Sequence, residues 1–144
     1  MEIKKILCCV DFSEMSPKLA HYATFFAQKF DARLYFLYVS PTMTQYVVMH
    51  VPAVSVNKFA EEVEQNATKL MKEFIEKHCA QNDAQGLVRS GYAVSEIKKL
   101  AHEKQADMII MGTHGRKGID KIVFGSVAEN VIKTSDIPVF TVRP

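Results

Sequence analysis

The chain has 144 residues, 48% of them apolar and 24% charged, and a formal net charge of +2. That length predicts one domain over residues 1–144 with room for a real core, and the composition is that of an ordinary globular protein. A charge so near zero, with basic residues scattered along the chain, argues against nucleic-acid and membrane-surface binding.

The elements alternate between strand and helix. Ile3 to Val10 is a near-continuous apolar run past Lys4-Lys5 and reads as a strand buried on both faces. It is too short for a signal-peptide core and no small-residue cleavage site follows it. Its adjacent Cys8 and Cys9 would face opposite sides of the sheet. Three cysteines in all make no disulfide framework, so they read as small hydrophobes in a reducing compartment. The cytoplasm is the expected location. Asp11-Phe12-Ser13 is a turn, and Ser16-Pro17 reads as an N-cap followed by proline at the first helical position. Leu19, Tyr22, Ala23, Phe26, Ala27 and Phe30 then recur at helical spacing. Arg33 to Val39 is a second strand, which Pro41 ends.

Residues 41–56 hold two prolines and no clear period, predicting a long loop of the kind that moves or binds. An amphipathic helix is predicted from about Asn57, with Phe59, Val63, Ala67, Leu70, Met71, Phe74, Ile75 and Cys79 on its apolar face. Leu87-Val88-Arg89 is a short strand ending at Ser90-Gly91. Val94, Ile97, Leu100 and Ala101 mark a third helix, Asp107 to Met111 a fourth strand, Ser126 to about Thr134 a fourth helix, and Pro138 to Arg143 a last strand. No apolar run approaches bilayer length. Strands alternating with helices imply right-handed crossovers and a mainly parallel sheet covered on both faces. Ligands bind such sheets beyond the carboxyl ends of the strands, where strand order reverses. If the first strand lies beside the fourth, Asp11 and Gly112 meet there.

The densest chemical signal follows the fourth strand: Met111-Gly112-Thr113-His114-Gly115, nine residues, then Gly125-Ser126. Glycine tolerates positive φ and lets backbone N–H groups approach an anion with no Cβ in the way. Ser126 opens a helix, whose first N–H groups and dipole favour negative charge. Ser126 and Glu129 also spell an S-x-x-E capping box, which would occupy the same hydroxyl without any ligand. Arg116, Lys117 and Lys121 read equally as phosphate partners or as a solvated loop. His114 has no partner at a readable spacing and reads as a loop residue, and Asp120 is a weak candidate metal ligand. A Walker motif is absent, as is G-x-G-x-x-G after the first strand.

In Gly112-x-x-Gly115-x9-Gly125-Ser126, Val10-Asp11-Phe12-Ser13, Ser90-Gly91, Ala106 to Gly112 and Ile137-Pro138-Val139, the chain resembles the universal stress protein family, outside about 41–65. The resemblance implies a flavodoxin-like, doubly wound α/β sheet of five parallel strands in the order 3-2-1-4-5. It implies ATP (or ADP or AMP) as ligand, with Mg2+ or Mn2+ carried mainly by the phosphates. Asp11 would contact the adenosine and the Val39 backbone the adenine edge. Cys9 stands near the nucleoside, where the family often has a small residue or proline. Met111 and Gly112 would floor the ribose, and Gly115, Gly125, Ser126 and Val127 would cradle phosphate. The implied function is a nucleotide-dependent stress-response or signalling protein, pairing as a homodimer through its last strand, Pro138 to Arg143, with ATP at most slowly hydrolysed. A slow ATPase, a nucleotidyl or phosphoryl transferase, and an interaction module with a vestigial pocket are the alternatives.

Overall fold

The computed structural model describes residues 2–42, 53–79, 83–114 and 125–144. Its elements in chain order are β1 (Lys5–Cys9), α1 (Ser16–Phe30), β2 (Arg33–Ser40), α2 (Ala53–His78), β3 (Gln85–Ser90), α3 (Ala93–Lys104), β4 (Met108–Gly112), α4 (Ser126–Thr134) and β5 (Val139–Val142). The strands are all parallel and ordered β3-β2-β1-β4-β5, so the expected doubly wound, flavodoxin-like sheet is the one that forms.

β1 is central because its side chains are apolar on both faces. Ile6 and Cys8 point into a core shared with α1 and α2, where Leu34, Phe36, Met71 and Ile110 join them. Leu7 points into the opposite core, with Leu37, Ile97, Leu100, Ile109 and Val131 under α3 and α4. Cys9 packs on that second side, so the adjacent cysteines do face opposite ways. Fully burying each large aliphatic side chain contributes about 1.5–3 kcal/mol. Both faces must therefore be covered, and the crossover helices do so.

The register fixes the site. Cys9 stands opposite Leu37 of β2 on one side and Met111 of β4 on the other. The chain leaves β1 through α1 toward β2, and returns from β3 through α3 to β4 on the far side of β1. The order reverses there, leaving a crevice at the carboxyl ends of β1 and β4.

Several expectations are corrected. Most of the predicted loop, residues 43–52, lies outside the described residues, and the chain is already helical at Ala53. Phe59 and Leu70 lie on the exposed side of α2, whereas Ala67, Met71 and Phe74 are buried. On α1, Phe25 and Phe30 are exposed too. Ser16 is the first residue of α1, not its cap. Met15 precedes the helix without a side-chain cap hydrogen bond. Among the described residues no helix is long and apolar enough to cross a membrane.

Candidate functional site

The crevice holds a cavity of about 600 Å³. Cys9 and Asp11 from the end of β1, Val39 from β2, and Met111 and Gly112 from β4 all line it, as do Gly125, Ser126 and Val127 at the start of α4. Gly115 and Arg116, with Lys117, Asp120 and Lys121, lie outside the described residues.

One wall is apolar. Leu37, Val39, Ala93, Ile97 and Met111 line the cavity and belong to the core beneath α3 and α4. Sequence reading missed Ala93, Ile97 and Leu37, since on a helix or strand they read as ordinary core positions. Cys9 borders this wall, and burial pushes its thiol up to about 12. The Cys8 thiol is also raised, by burial first and then by its neighbours Cys9 and Cys79. Both are neutral thiols at physiological pH, poor nucleophiles and poor metal ligands.

A second wall is backbone. Gly125 is the N-cap of α4, with φ −71° and ψ 158°. Its carbonyl accepts the Glu129 N–H at 2.9 Å, so the N–H groups of Ser126, Val127 and Ala128 have no acceptor within the helix. These three residues line the cavity, and together with the helix dipole they favour an anion. The capping-box reading fails. Ser126 is already helical, and no side-chain hydrogen bond caps this end. Glu129 points its carboxylate to Lys133 Nζ, 2.6 Å away.

Glycine matters here through its missing Cβ. Neither Gly112 nor Gly125 has positive φ, contrary to one half of the sequence argument. A Cβ on Gly112 would sit 3.2 Å from the His114 carbonyl oxygen, and one on Gly125 would sit 3.3 Å from that of Thr113. The Gly125 N–H donates to that same Thr113 carbonyl, while the Thr113 N–H donates to Val142 of β5 at 3.0 Å. The end of β4 and the start of α4 are thus drawn together. Thr113 is fully buried, and its Oγ1 lies 2.9 Å from His114 Nδ1. His114 therefore has a partner and lines the cavity, which its sequence surroundings did not reveal.

Asp11 forms the third side. Its Oδ1 accepts the Ser13 N–H at 3.0 Å and the Ser16 hydroxyl at 3.2 Å. Phe12, next in the chain, has φ 58°, a left-handed conformation that costs a non-glycine residue about 1 kcal/mol. Its ring packs 4.7 Å from Tyr38 and 5.9 Å from Phe74, centroid to centroid. That packing holds the sharp turn that leaves Asp11 at the mouth of the crevice. Among the described residues no group of three or more His, Cys, Asp or Glu is placed to hold a metal ion.

The arrangement offers an apolar slot, a carboxylate and a row of backbone donors in one cavity, a combination suited to a flat apolar group joined to an anion. Comparisons with known proteins place the chain. The model of the universal stress protein family matches residues 2–143. Universal stress protein MJ0531 of Methanocaldococcus jannaschii is 34% identical over 144 residues, covering 97% of this chain and 82% of its own. The solved structure of MJ0577, from the same organism, superposes with a TM-score of 0.81 at 28% identity, over 100% of this chain and 98% of its own. That of a universal stress protein in complex with cAMP gives a TM-score of 0.66 at 20% identity, over 99% and 98%, a likeness of fold. With the family match spanning nearly its whole length, the chain belongs to the universal stress protein family.

Proposed function

We propose that the crevice binds an adenine nucleotide, with ATP as the leading ligand, and that the protein is a nucleotide-dependent stress-response or signalling protein. The observation that carries this reading is the two-sided cavity. Its apolar wall shares the cavity with a helix start whose first N–H groups have no acceptor within the helix, in a volume of about 600 Å³, within the usual range for small-ligand sites. In this reading the base lies against Val39, Ala93, Ile97 and Met111. Asp11 meets the adenosine, Gly112 lies under the ribose, and the phosphates reach Gly125, Ser126 and Val127. Gly115 and Arg116 belong to the same cradle by sequence. Mg2+ or Mn2+ would ride on the phosphates, as suits ions that keep much of their own hydration. That a universal stress protein of the same fold has been solved with cAMP supports the ligand class.

The reading extends to assembly. β5 is an edge strand, and pairing it with its copy in a homodimer would satisfy its outward N–H and C=O groups. Nucleotide binding would then act by population shift, favouring the conformation that binds it better and so changing the surface offered to partners in the cytoplasm. The direct test is to purify the protein without added nucleotide, denature it, identify any released small molecule by mass spectrometry, and titrate ATP into the stripped protein. Co-purified adenine nucleotide, or binding that Gly125→Val abolishes in a folded protein, is the expected result. An empty protein that takes up no ATP would make the glycine turn structural.

A further inference from the structure

Tyr92 is 66% exposed, more than any other large hydrophobic side chain among the described residues. Its position is unusual in two ways. It is the N-cap residue of α3, with φ −79° and ψ 119°. An N-cap is ordinarily Ser, Thr, Asp or Asn, whose side-chain oxygen accepts a free N–H of the first turn. A tyrosine forfeits that bond, and no side-chain hydrogen bond caps α3. The residue also adjoins the crevice. Ala93, the next in the chain, and Ile97 one turn on both line its apolar wall.

The backbone at this point is fixed while the ring is not covered. The Gly91 N–H donates to the Ser40 carbonyl at 3.1 Å, and the Tyr92 carbonyl accepts the Glu96 N–H at 3.0 Å. Val39 and Ser40 stand opposite Arg89 and Ser90 in the β2–β3 ladder, so the turn carrying Tyr92 lies beside the strand end that supplies Val39 to the cavity. An exposed aromatic ring thus stands at a cap position where a capping side chain is usual, next in the chain to Ala93 of the crevice's apolar wall. Departures from local preference of this kind concentrate at functional sites.

We propose that the Tyr92 ring stacks on the base of the bound nucleotide and sets the preference of the crevice for ligands carrying an aromatic base. The inference rests on the adenine-nucleotide reading above. Stacking of an aromatic side chain on a base is tolerant of base identity and independent of the phosphate contacts. Tyr92 therefore contributes affinity for the base while Gly125 to Val127 serve the anion.

The test uses the full-length, nucleotide-stripped protein and two variants, with ATP affinity by calorimetry and melting temperature as separate readouts. Tyr92→Ser removes the ring and restores a favourable N-cap. It should weaken ATP binding about tenfold while raising the melting temperature. Tyr92→Phe keeps the ring and should bind ATP as the wild type does. ATP binding by Tyr92→Ser at wild-type strength would overturn the inference and leave the nucleotide reading intact. Loss of affinity together with a lower melting temperature would make Tyr92 structural and overturn it too. A wild-type protein that binds no ATP overturns both.

Discussion

Ser16 and Asp11 hold each other across the β1–α1 turn. The Ser16 hydroxyl donates to Asp11 Oδ1 at 3.2 Å and accepts the Asp11 N–H at 3.3 Å, and Ser16 is fully buried. Ser16→Ala removes both of these bonds, leaving Asp11 Oδ1 with the Ser13 N–H. It should cost about 1–3 kcal/mol of stability, read from urea denaturation. ATP affinity should fall several-fold as Asp11 loses its orientation. A variant with wild-type stability would show the pair to be idle.

Phe12 offers a sharper contrast. Phe12→Ala removes the packing on Tyr38 and Phe74 but keeps the left-handed backbone, and should cost about 2 kcal/mol, since the ring is only partly buried. Phe12→Gly removes the same ring but adopts φ 58° without strain. It should be more stable than the alanine variant by about 1 kcal/mol. The reverse order in chemical denaturation would mean the turn is not strained.

At Gly125 the Cβ of an alanine would press on the Thr113 carbonyl, which is also the acceptor of the Gly125 N–H. Relieving that contact moves the start of α4 away from the end of β4. Gly125→Ala should lose about 1–3 kcal/mol of stability and about tenfold in ATP affinity. Unchanged calorimetric titration would remove this turn from the phosphate site.

The Cys9 thiol gives the fold an alkaline limit. Its pKa is raised by burial to about 12, above the ordinary thiol value near 8.5 in an unfolded chain. The native state therefore holds its proton where the unfolded state has lost it. The stability this confers is complete below about pH 8.5 and is lost as pH rises toward 12. The slope is at most about 1.4 kcal/mol per pH unit for this thiol. Cys9→Ala should flatten the fall in melting temperature above pH 9, with Cys8, also raised, supplying what remains. An identical alkaline profile in the variant would contradict the assignment.

The edge of β5 can be tested without touching its inner ladder. Ile109 N–H donates to the Pro138 carbonyl and Thr113 N–H to that of Val142. In a parallel ladder such bonds fall on alternate residues, so the N–H groups of Val139 and Thr141 face outward. Thr141→Pro removes an outward donor only. The proposed homodimer should become a monomer by light scattering, whereas a wild type that is already monomeric would end the β5 pairing idea.

The sheet was legible in the sequence because burial on both faces leaves strands such as β1 apolar past Lys5, with no polar positions from Ile6 to Val10 to confuse the period. Strand order came from the resemblance, since apolar runs alone carry no information on which strand lies beside which. The start of α1 was misread by one residue at Ser16, whereas α4 begins at Ser126 as expected and only the capping-box role of that serine fails. A serine before a helical pattern looks like a cap. At Ser16 the hydroxyl has a closer use on Asp11, and at Ser126 the cap position is taken by glycine, whose close approach to Thr113 matters more. Of the residues named from sequence, Val39 and Met111 line the apolar wall of the cavity, while Leu37, Ala93 and Ile97 of the same wall were not named. Ala93 and Ile97 carry nothing in sequence that separates a cavity wall from a core.

Asp107, just before β4, accepts the N–H groups of both Lys4 and Lys5 through Oδ2, at 2.8 and 2.9 Å, across a sequence separation of 103 residues for the first. The seam between β1 and β4 is therefore among the last that a growing chain can close. During synthesis β1 can pair with β2 and gain the cover of α1 and α2 long before β4 exists, but its other edge must wait. The crevice comes into being only with that closure, so the nucleotide proposed above would have no complete site to occupy beforehand. Its binding would select finished molecules, protecting them from proteases and leaving stalled chains without that protection.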